Sequence, residues 1–208
     1  MSNSRATTLP IATALPVKEM TSICRHAWEQ GLLSGYNGNA SLRLNGEPEC
    51  CCVTRSGAAK GLLTAKDCCI VALANGHVLH GGPPSTETAM HLAVYRACPN
   101  CKAILHTHPR HLLALSLHLA DRMEDFLRLP LFEAEVWRPK LGFTTALPPG
   151  SETLAQAVAS AATEKNAVWM TGHGLCATGK SLAEALCITE ELEHLAQIQL
   201  LQITRNHY

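Results

Sequence analysis

The stretch Ala103-Ile104-Leu105-His106-Thr107-His108-Pro109 decides how the rest of the chain is read. An apolar run leads into His-Thr-His, and a proline closes the segment. This is the pattern of a short β-strand with a polar end. Side chains alternate across a strand, so His106 and His108 share one face. Two imidazoles so placed can close on a metal ion, and zinc takes three or four such groups. A bare His-x-His is just as readily a core histidine followed by one in a loop. What decides between the two is the company these residues keep.

The chain has 208 residues, which suits one domain with a substantial core. Its 17 basic and 17 acidic side chains balance without a charge run. That argues against a nucleic acid or an anionic membrane surface as the main partner, while leaving room for a small local anion site. No apolar run nears the roughly 20 residues that span a bilayer. Residues 1–15 are rich in Ser, Thr and Ala but lack the basic start and apolar block of a signal peptide. They are expected to form a flexible tail, residues 16–208 a single domain, and the protein to be cytoplasmic. Ten cysteines are present. Cys50-Cys51-Cys52 and Cys68-Cys69 are adjacent runs, a poor disulfide framework, and they read as small buried hydrophobes. Cys98 and Cys101 match C-x-x-C, but no second pair completes a four-sulfur zinc site.

Periodicity outlines the elements. Residues 17–33 read as a helix, with Met20, Ile23, Cys24, Ala27, Trp28 and Gly31 at three- and four-residue steps. Residues 40–44 and 51–55 read as strands. Residues 69–73 and 77–79 read as a hairpin around Asn75-Gly76. A helix is expected over 85–97, a strand over 103–108 and a helix over 112–119. Residues 121–142 are mixed and give no clear assignment. A helix over 151–165, a strand over 167–171, a turn at Gly172-His173-Gly174 and a strand over 175–178 follow. Ser181 opens the last helix, with Glu184 three residues on as a capping box. Strands thus come singly and in hairpins between helices. Helices packed on a mixed or mainly antiparallel sheet fit best.

Four segments look specialised beyond the needs of folding. Tyr36-Asn37-Gly38-Asn39-Ala40-Ser41 combines glycines with polar side chains. Thr54-Arg55-Ser56-Gly57, followed by Lys60-Gly61, can turn backbone N–H groups toward an anion. Pro84-Ser85-Thr86-Glu87 puts two hydroxyls and a carboxylate at a helix start, where they can cap the helix, bind phosphate or stabilise the dipole. Gly172-His173-Gly174 lets a histidine sit in a tight turn. Each alone reads as an ordinary loop or cap. Together with His106 and His108, His173 supplies a third imidazole, the ligand set of an open catalytic zinc site. Such an ion can polarise a carbonyl and an adjacent hydroxyl of a sugar-like substrate, while a nearby carboxylate moves the proton.

These segments, with Leu147-Pro148-Pro149-Gly150-Ser151-Glu152 and the helix from Ser181, resemble the class II aldolase/adducin family, and within it the zinc-dependent L-fuculose-phosphate aldolases. The resemblance covers roughly residues 17–201. It implies a three-layer α/β/α sandwich with a mainly antiparallel central sheet. It implies Zn2+ on His106, His108 and His173, with other divalent ions accepted, and Glu87 as the acid/base. Asn39, Ser56, Gly57, Ser85 and Thr86 would hold a substrate phosphate. The reaction implied is cleavage of a small ketose 1-phosphate to dihydroxyacetone phosphate and an aldehyde, in a homotetramer with active sites at subunit contacts. Two departures bear on this. The aldolases use a tyrosine from a neighbouring subunit, placed after the His-x-His segment, and residues 121–142 contain none. A second family tyrosine sits in the C-terminal tail, where Tyr208 is the candidate. Methylthioribulose-phosphate dehydratases of the superfamily place a catalytic glutamate where this chain has Glu133 and Glu135. The alternatives are therefore such a dehydratase, a pentulose-phosphate 4-epimerase or a keto-acid phosphate decarboxylase, and then a non-catalytic adducin-like scaffold.

Overall fold

The computed structural model describes residues 11–46, 49–120 and 122–205. Eight strands form one sheet: β1 (Asn39–Leu44), β2 (Cys50–Thr54), β3 (Cys68–Ala72), β4 (Val78–His80), β5 (Ala103–Thr107), β6 (Leu141–Thr144), β7 (Ala167–Met170) and β8 (Gly174–Gly179). Their spatial order is β4-β3-β2-β1-β5-β8-β7-β6. Every neighbouring pair is antiparallel except β6–β7. The helices are α1 (Ile11–Glu29), α2 (Thr88–Ala97), α3 (Arg110–Leu119), α4 (Phe132–Trp137), α5 (Glu152–Ala162) and α6 (Leu182–Arg205). α2 and α5 pack together on one face of the sheet, and α1, α3 and α6 cover the other. This is the expected three-layer α/β/α sandwich.

Because both faces are covered, the strands read as continuous apolar runs whose alternate residues enter different cores. Ile104 of β5 points into the core under α2 and α5, while Ala103 and Leu105 point into the core under α1, α3 and α6. Val168 and Met170 of β7 split from Ala167 and Trp169 in the same way. The cysteines obey the same rule. Cys51 and Cys69 face one core, and Cys52 and Cys68 the other. None is disulfide-bonded. Cys98 and Cys101 turn their thiols to the carbonyls of Ala162 and Ala103, each at 3.3 Å.

Several boundaries differ from the sequence reading. α1 begins at Ile11, inside the stretch expected to be a tail, and takes Pro16 into the helix. Leu15 there is 77% exposed, so the first turns leave no mark in the apolar pattern. α1 ends at Glu29, and Leu32 and Leu33 fold back so that both N–H groups reach the Ala27 carbonyl. α2 starts at Thr88, three residues later than expected. Ser85 to Glu87 form a separate turn, closed by Thr88 N–H on the Ser85 carbonyl at 3.0 Å. The Asn75-Gly76 turn joins β3 and β4, with Gly76 at φ 75° and the Asn75 side chain accepting from His77 N–H. Ser181 caps α6 through Glu184 N–H, but the Glu184 carboxylate accepts from Lys180 N–H, so the capping box is only half made. Residues 122–144 hold two 3-10 turns, the short α4 and the four-residue β6, pieces too short to show a period. No helix among the described residues is long and apolar enough to cross a membrane.

Trp169 is the largest fully buried side chain, packed on Phe126 at 5.7 Å between ring centroids. Its substitution by alanine is expected to lower the unfolding free energy by about 3–5 kcal/mol, through lost contacts and the cavity left behind. The measurement is the urea midpoint at unchanged m. A loss under about 1 kcal/mol would contradict a tightly packed core at this point.

Candidate active site

Sheet order brings distant segments together. β5 lies between β1 and β8, with Asn39 opposite His106 on one side and Leu175 opposite Thr107 on the other. His106 shares its face with Ile104, toward α2 and α5, and His108 follows just past the strand end. The β7–β8 turn then sets His173 beside both. Glycine is needed for this approach. A Cβ on Gly174 would collide with the Thr107 carbonyl oxygen and stand 3.1 and 3.2 Å from the rings of His106 and His108. Gly38, at φ 70°, passes equally close; a Cβ there would lie 2.6 Å from the His106 carbonyl oxygen.

The three imidazoles place one ring nitrogen each within 4.8 Å of the others. His106 Nε2 and His108 Nε2 are 3.0 Å apart. Tetrahedral zinc with Zn–N of about 2.0–2.1 Å implies roughly 3.3 Å between ligand nitrogens, so the pair is close to ligand spacing. His106 Nδ1 lies 3.0 Å from the Leu175 carbonyl. A carbonyl only accepts, so Nδ1 donates to it and the ring is oriented with Nε2 inward, a donor to Glu87 when protonated and a metal ligand once that hydrogen leaves. Burial, and then the charges of His106 and His173, push His108 down to about 3. Burial also lowers His173. Both shifts favour the neutral ring, the form that binds metal.

Glu87, immediately before α2, faces this cluster and is 6% exposed. Its Oε2 is 3.1 Å from His106 Nε2 and accepts from Asn39 Nδ2 at 2.8 Å. Its Oε1 lies 3.2 Å from His173 Nε2 and has no hydrogen-bond partner. Burial alone would raise its pKa. The hydrogen bond to His106, the charges of His106 and His173 and the Asn39 amide outweigh that and hold the carboxyl well below the usual range. Three inward nitrogens and an ionised carboxylate together fit one divalent cation.

Beside the cluster lies a cavity of about 220 Å³. Asn39, Ser56, Gly57, Ser85 and Thr86 line it, with Glu87, His108 and His173. Ser85 Oγ accepts from Glu87 N–H at 3.3 Å. A larger cavity of about 660 Å³ lies elsewhere, between Arg43, Glu49, Leu79 and Arg96. Its arginines are committed to the backbone carbonyls of Cys101, Tyr95, Leu73 and Ala74. Glu87 and the histidines border the smaller cavity.

The profile of the Class II Aldolase and Adducin N-terminal domain matches residues 18–200. The chain belongs to the class II aldolase/adducin family. The L-fuculose phosphate aldolase of Methanococcus vannielii is 32% identical over 88% of this chain and 95% of its own length. The methylthioribulose-1-phosphate dehydratase of Yersinia enterocolitica is 35% identical over 87% of this chain and 89% of its own. Among solved structures, the L-fuculose-1-phosphate aldolase of Thermus thermophilus superposes with a TM-score of 0.79 at 30% identity, covering 92% of this chain and 95% of that one. Enzymes of this class II aldolase family are metal-dependent and act on sugar phosphates.

Tyr208 lies outside the described residues. Glu133 and Glu135 are exposed on α4 and do not line the cavity of their own chain. Conversely, Tyr36, Arg55, Lys60 and Pro149 line the cavity without having been named as site residues. The first three sit in segments already marked as specialised, so the signal was there. Lys60 is buried, and its ammonium donates to the carbonyls of Ala58 and Tyr36 at 2.7 and 3.1 Å. Arg55 is held by Asp67 at 2.9 Å.

Gly174→Ala is expected to leave the fold intact and cut zinc content at least about 10-fold, since the turn must retreat from the His106 and His108 rings. Metal analysis after dialysis against micromolar zinc measures this. Full stoichiometry in the variant would show that the close approach is not needed.

Proposed function

We propose that the protein is a zinc-dependent aldolase that cleaves a small ketose 1-phosphate to dihydroxyacetone phosphate and an aldehyde. The observation that carries this reading is Glu87: a buried, ionised carboxylate, one oxygen of which has no hydrogen-bond partner, between three imidazoles and a cavity lined by the hydroxyl residues Ser56, Ser85 and Thr86. On this reading His106, His108 and His173 hold the zinc. When bound, zinc supplies a Lewis acid for the carbonyl and adjacent hydroxyl oxygens of the substrate.

The side chains then divide the remaining work. Asn39, Ser56, Gly57, Ser85 and Thr86 hold the phosphate, with the cations Arg55 and Lys60 alongside. Glu87 accepts the proton of the substrate hydroxyl next to the bond that breaks. The carbon–carbon bond electrons stay with the phosphorylated fragment, and the other carbon leaves as an aldehyde. Glu87 returns its proton to the carbon that kept the electrons. Two fuculose-phosphate aldolases, at 32% and 30% identity, are among the similar proteins and are consistent with this reading. A homotetramer is part of the same proposal; Phe132 on α4, 84% exposed, and Val136 beside it offer an apolar surface for a second subunit.

A second reading is dehydration of a methylthioribulose-phosphate-like substrate. Tyrosine placement favours it. Residues 122–142 contain none, and Tyr36, 73% exposed, is the tyrosine at the cavity among the described residues. A screen of ketose 1-phosphates, with coupled detection of dihydroxyacetone phosphate and mass detection of water loss, separates the two. Release of dihydroxyacetone phosphate that depends on zinc supports the aldolase. Loss of water without cleavage sinks it.

Two further outcomes follow. Glu87→Gln keeps its zinc but loses turnover by about 10²–10⁴-fold, the usual contribution of a general acid/base; unchanged turnover places the base elsewhere. Inorganic phosphate inhibits competitively, and an absence of competition at high concentration means that the substrate carries no phosphate.

A further inference from the structure

A line of buried polar side chains runs away from Glu87 through the interior. β1 alternates, so Ala40 and Leu42 enter the core under α1 while Asn39 and Ser41 face α2. On α2, His91 and Tyr95 follow Glu87 at four-residue steps and so share its side of the helix. The two rows interlock. Tyr95 OH lies 2.8 Å from Ser41 Oγ, and Ser41 Oγ lies 2.6 Å from His91 Nδ1. His91 Nε2 lies 2.5 Å from Asn39 Oδ1, and Asn39 Nδ2 lies 2.8 Å from Glu87 Oε2. All five residues are buried, and Ser41 and His91 have no exposed surface at all.

Donor and acceptor rules give this chain one direction. A carboxylate only accepts, so the Asn39 NH₂ must point to Glu87 and its carbonyl to His91. His91 Nε2 must then carry the hydrogen. An uncompensated imidazolium there would be costly to bury, and burial, followed by the charge of His106, lowers the imidazole to about 3. A neutral ring with hydrogen on Nε2 leaves Nδ1 as an acceptor, so Ser41 donates to it and receives from Tyr95. Every hydrogen points toward Glu87. The Tyr95 end is anchored in turn by Arg43, which lies over the ring at 5.0 Å and donates to the Tyr95 carbonyl.

We propose that His91, backed by Ser41 and Tyr95, is a positioning residue that locks the Asn39 amide onto Oε2 of Glu87 and so reserves Oε1 for proton transfer. This rests on the reading of Glu87 as the acid/base. Without His91, the amide is free to rotate about its last bond and present its oxygen to a carboxylate, which repels it. Both carboxylate oxygens then lose their distinction.

Two near-isosteric variants separate positioning from packing. In His91→Gln the side-chain nitrogen takes the place of Nε2 and still donates to Asn39. In His91→Asn the side-chain oxygen takes the place of Nδ1, so the Ser41 contact survives and the Asn39 contact is lost. The assay is exchange of the hydroxymethyl proton of dihydroxyacetone phosphate with D2O, followed by proton NMR on zinc-loaded protein. His91→Asn is expected to slow exchange by about 10- to 100-fold at saturation, with zinc content unchanged, and His91→Gln by less than about threefold. Equal rates in the two variants, whether both fast or both slow, overturn the proposal. A nitrogen-15 spectrum of the wild-type histidines needs no turnover: hydrogen on Nε2 of His91 supports the chain, and hydrogen on Nδ1 overturns it. If wild-type protein exchanges no proton while His91 shows the Nε2 tautomer, the aldolase reading fails and the polar chain stands.

Discussion

The structure turns on one buried negative charge. The Glu87 carboxylate has almost no contact with water, and a charge so placed is tolerated only when its surroundings replace the lost hydration. Here the replacement comes from His106 and His173 on one side and the Asn39 amide on the other. Each of those groups has its own requirement. His106 is oriented by its far nitrogen, which donates to the Leu175 carbonyl and so turns the near nitrogen to the carboxylate. Asn39 must keep its NH₂ toward the carboxylate, which His91 ensures. The site is thus a set of directed hydrogen bonds whose orientation follows from what a carboxylate and a carbonyl can accept.

The sheet makes this set possible. Antiparallel pairing of β1, β5 and β8 brings Asn39, His106 and the turn bearing His173 into adjacent rows, although they lie far apart in the chain. The late start of α2 leaves Ser85, Thr86 and Glu87 in a turn at the cavity instead of inside a helix. Close backbone approach at Gly38 and Gly174 removes the side chains that would otherwise hold these rows apart. A rigid floor of strands buried on both faces then keeps the imidazoles in place.

The same geometry explains why one scaffold serves several reactions. The three imidazoles, Glu87 and the cavity are carried by strand ends, the β7–β8 turn and the loops around the start of α2. Glu133 and Glu135 lie instead on α4, exposed and outside the lining of that cavity. Family enzymes with aldolase and dehydratase activity match this chain over similar lengths. What distinguishes them can change at such surface elements without disturbing the buried charge.

From the sequence alone, helices on a mainly antiparallel sheet, most helices and strands and the joint pattern of His106, His108, His173 and Glu87 were legible, while the three-layer arrangement was implied by the family resemblance. The legible parts were written in a local code: alternation along a strand, steps of three and four along a helix, glycines around a histidine. Residues 122–144 resisted because α4 and β6 are too short to express a period, and the start of α1 was hidden in part because Leu15 is exposed. Arg55 and Lys60 were in view but had no reason to be chosen until the cavity formed around them. His91 shows the difference most clearly. Its spacing from Glu87 is visible on paper, and so is the alternation of Asn39 and Ser41. That these two rows face each other across α2 and β1, and that their hydrogens all run one way, depends on a pairing some fifty residues apart. Only tertiary structure decides it, because a hydrogen bond takes its direction from the partner that folding supplies.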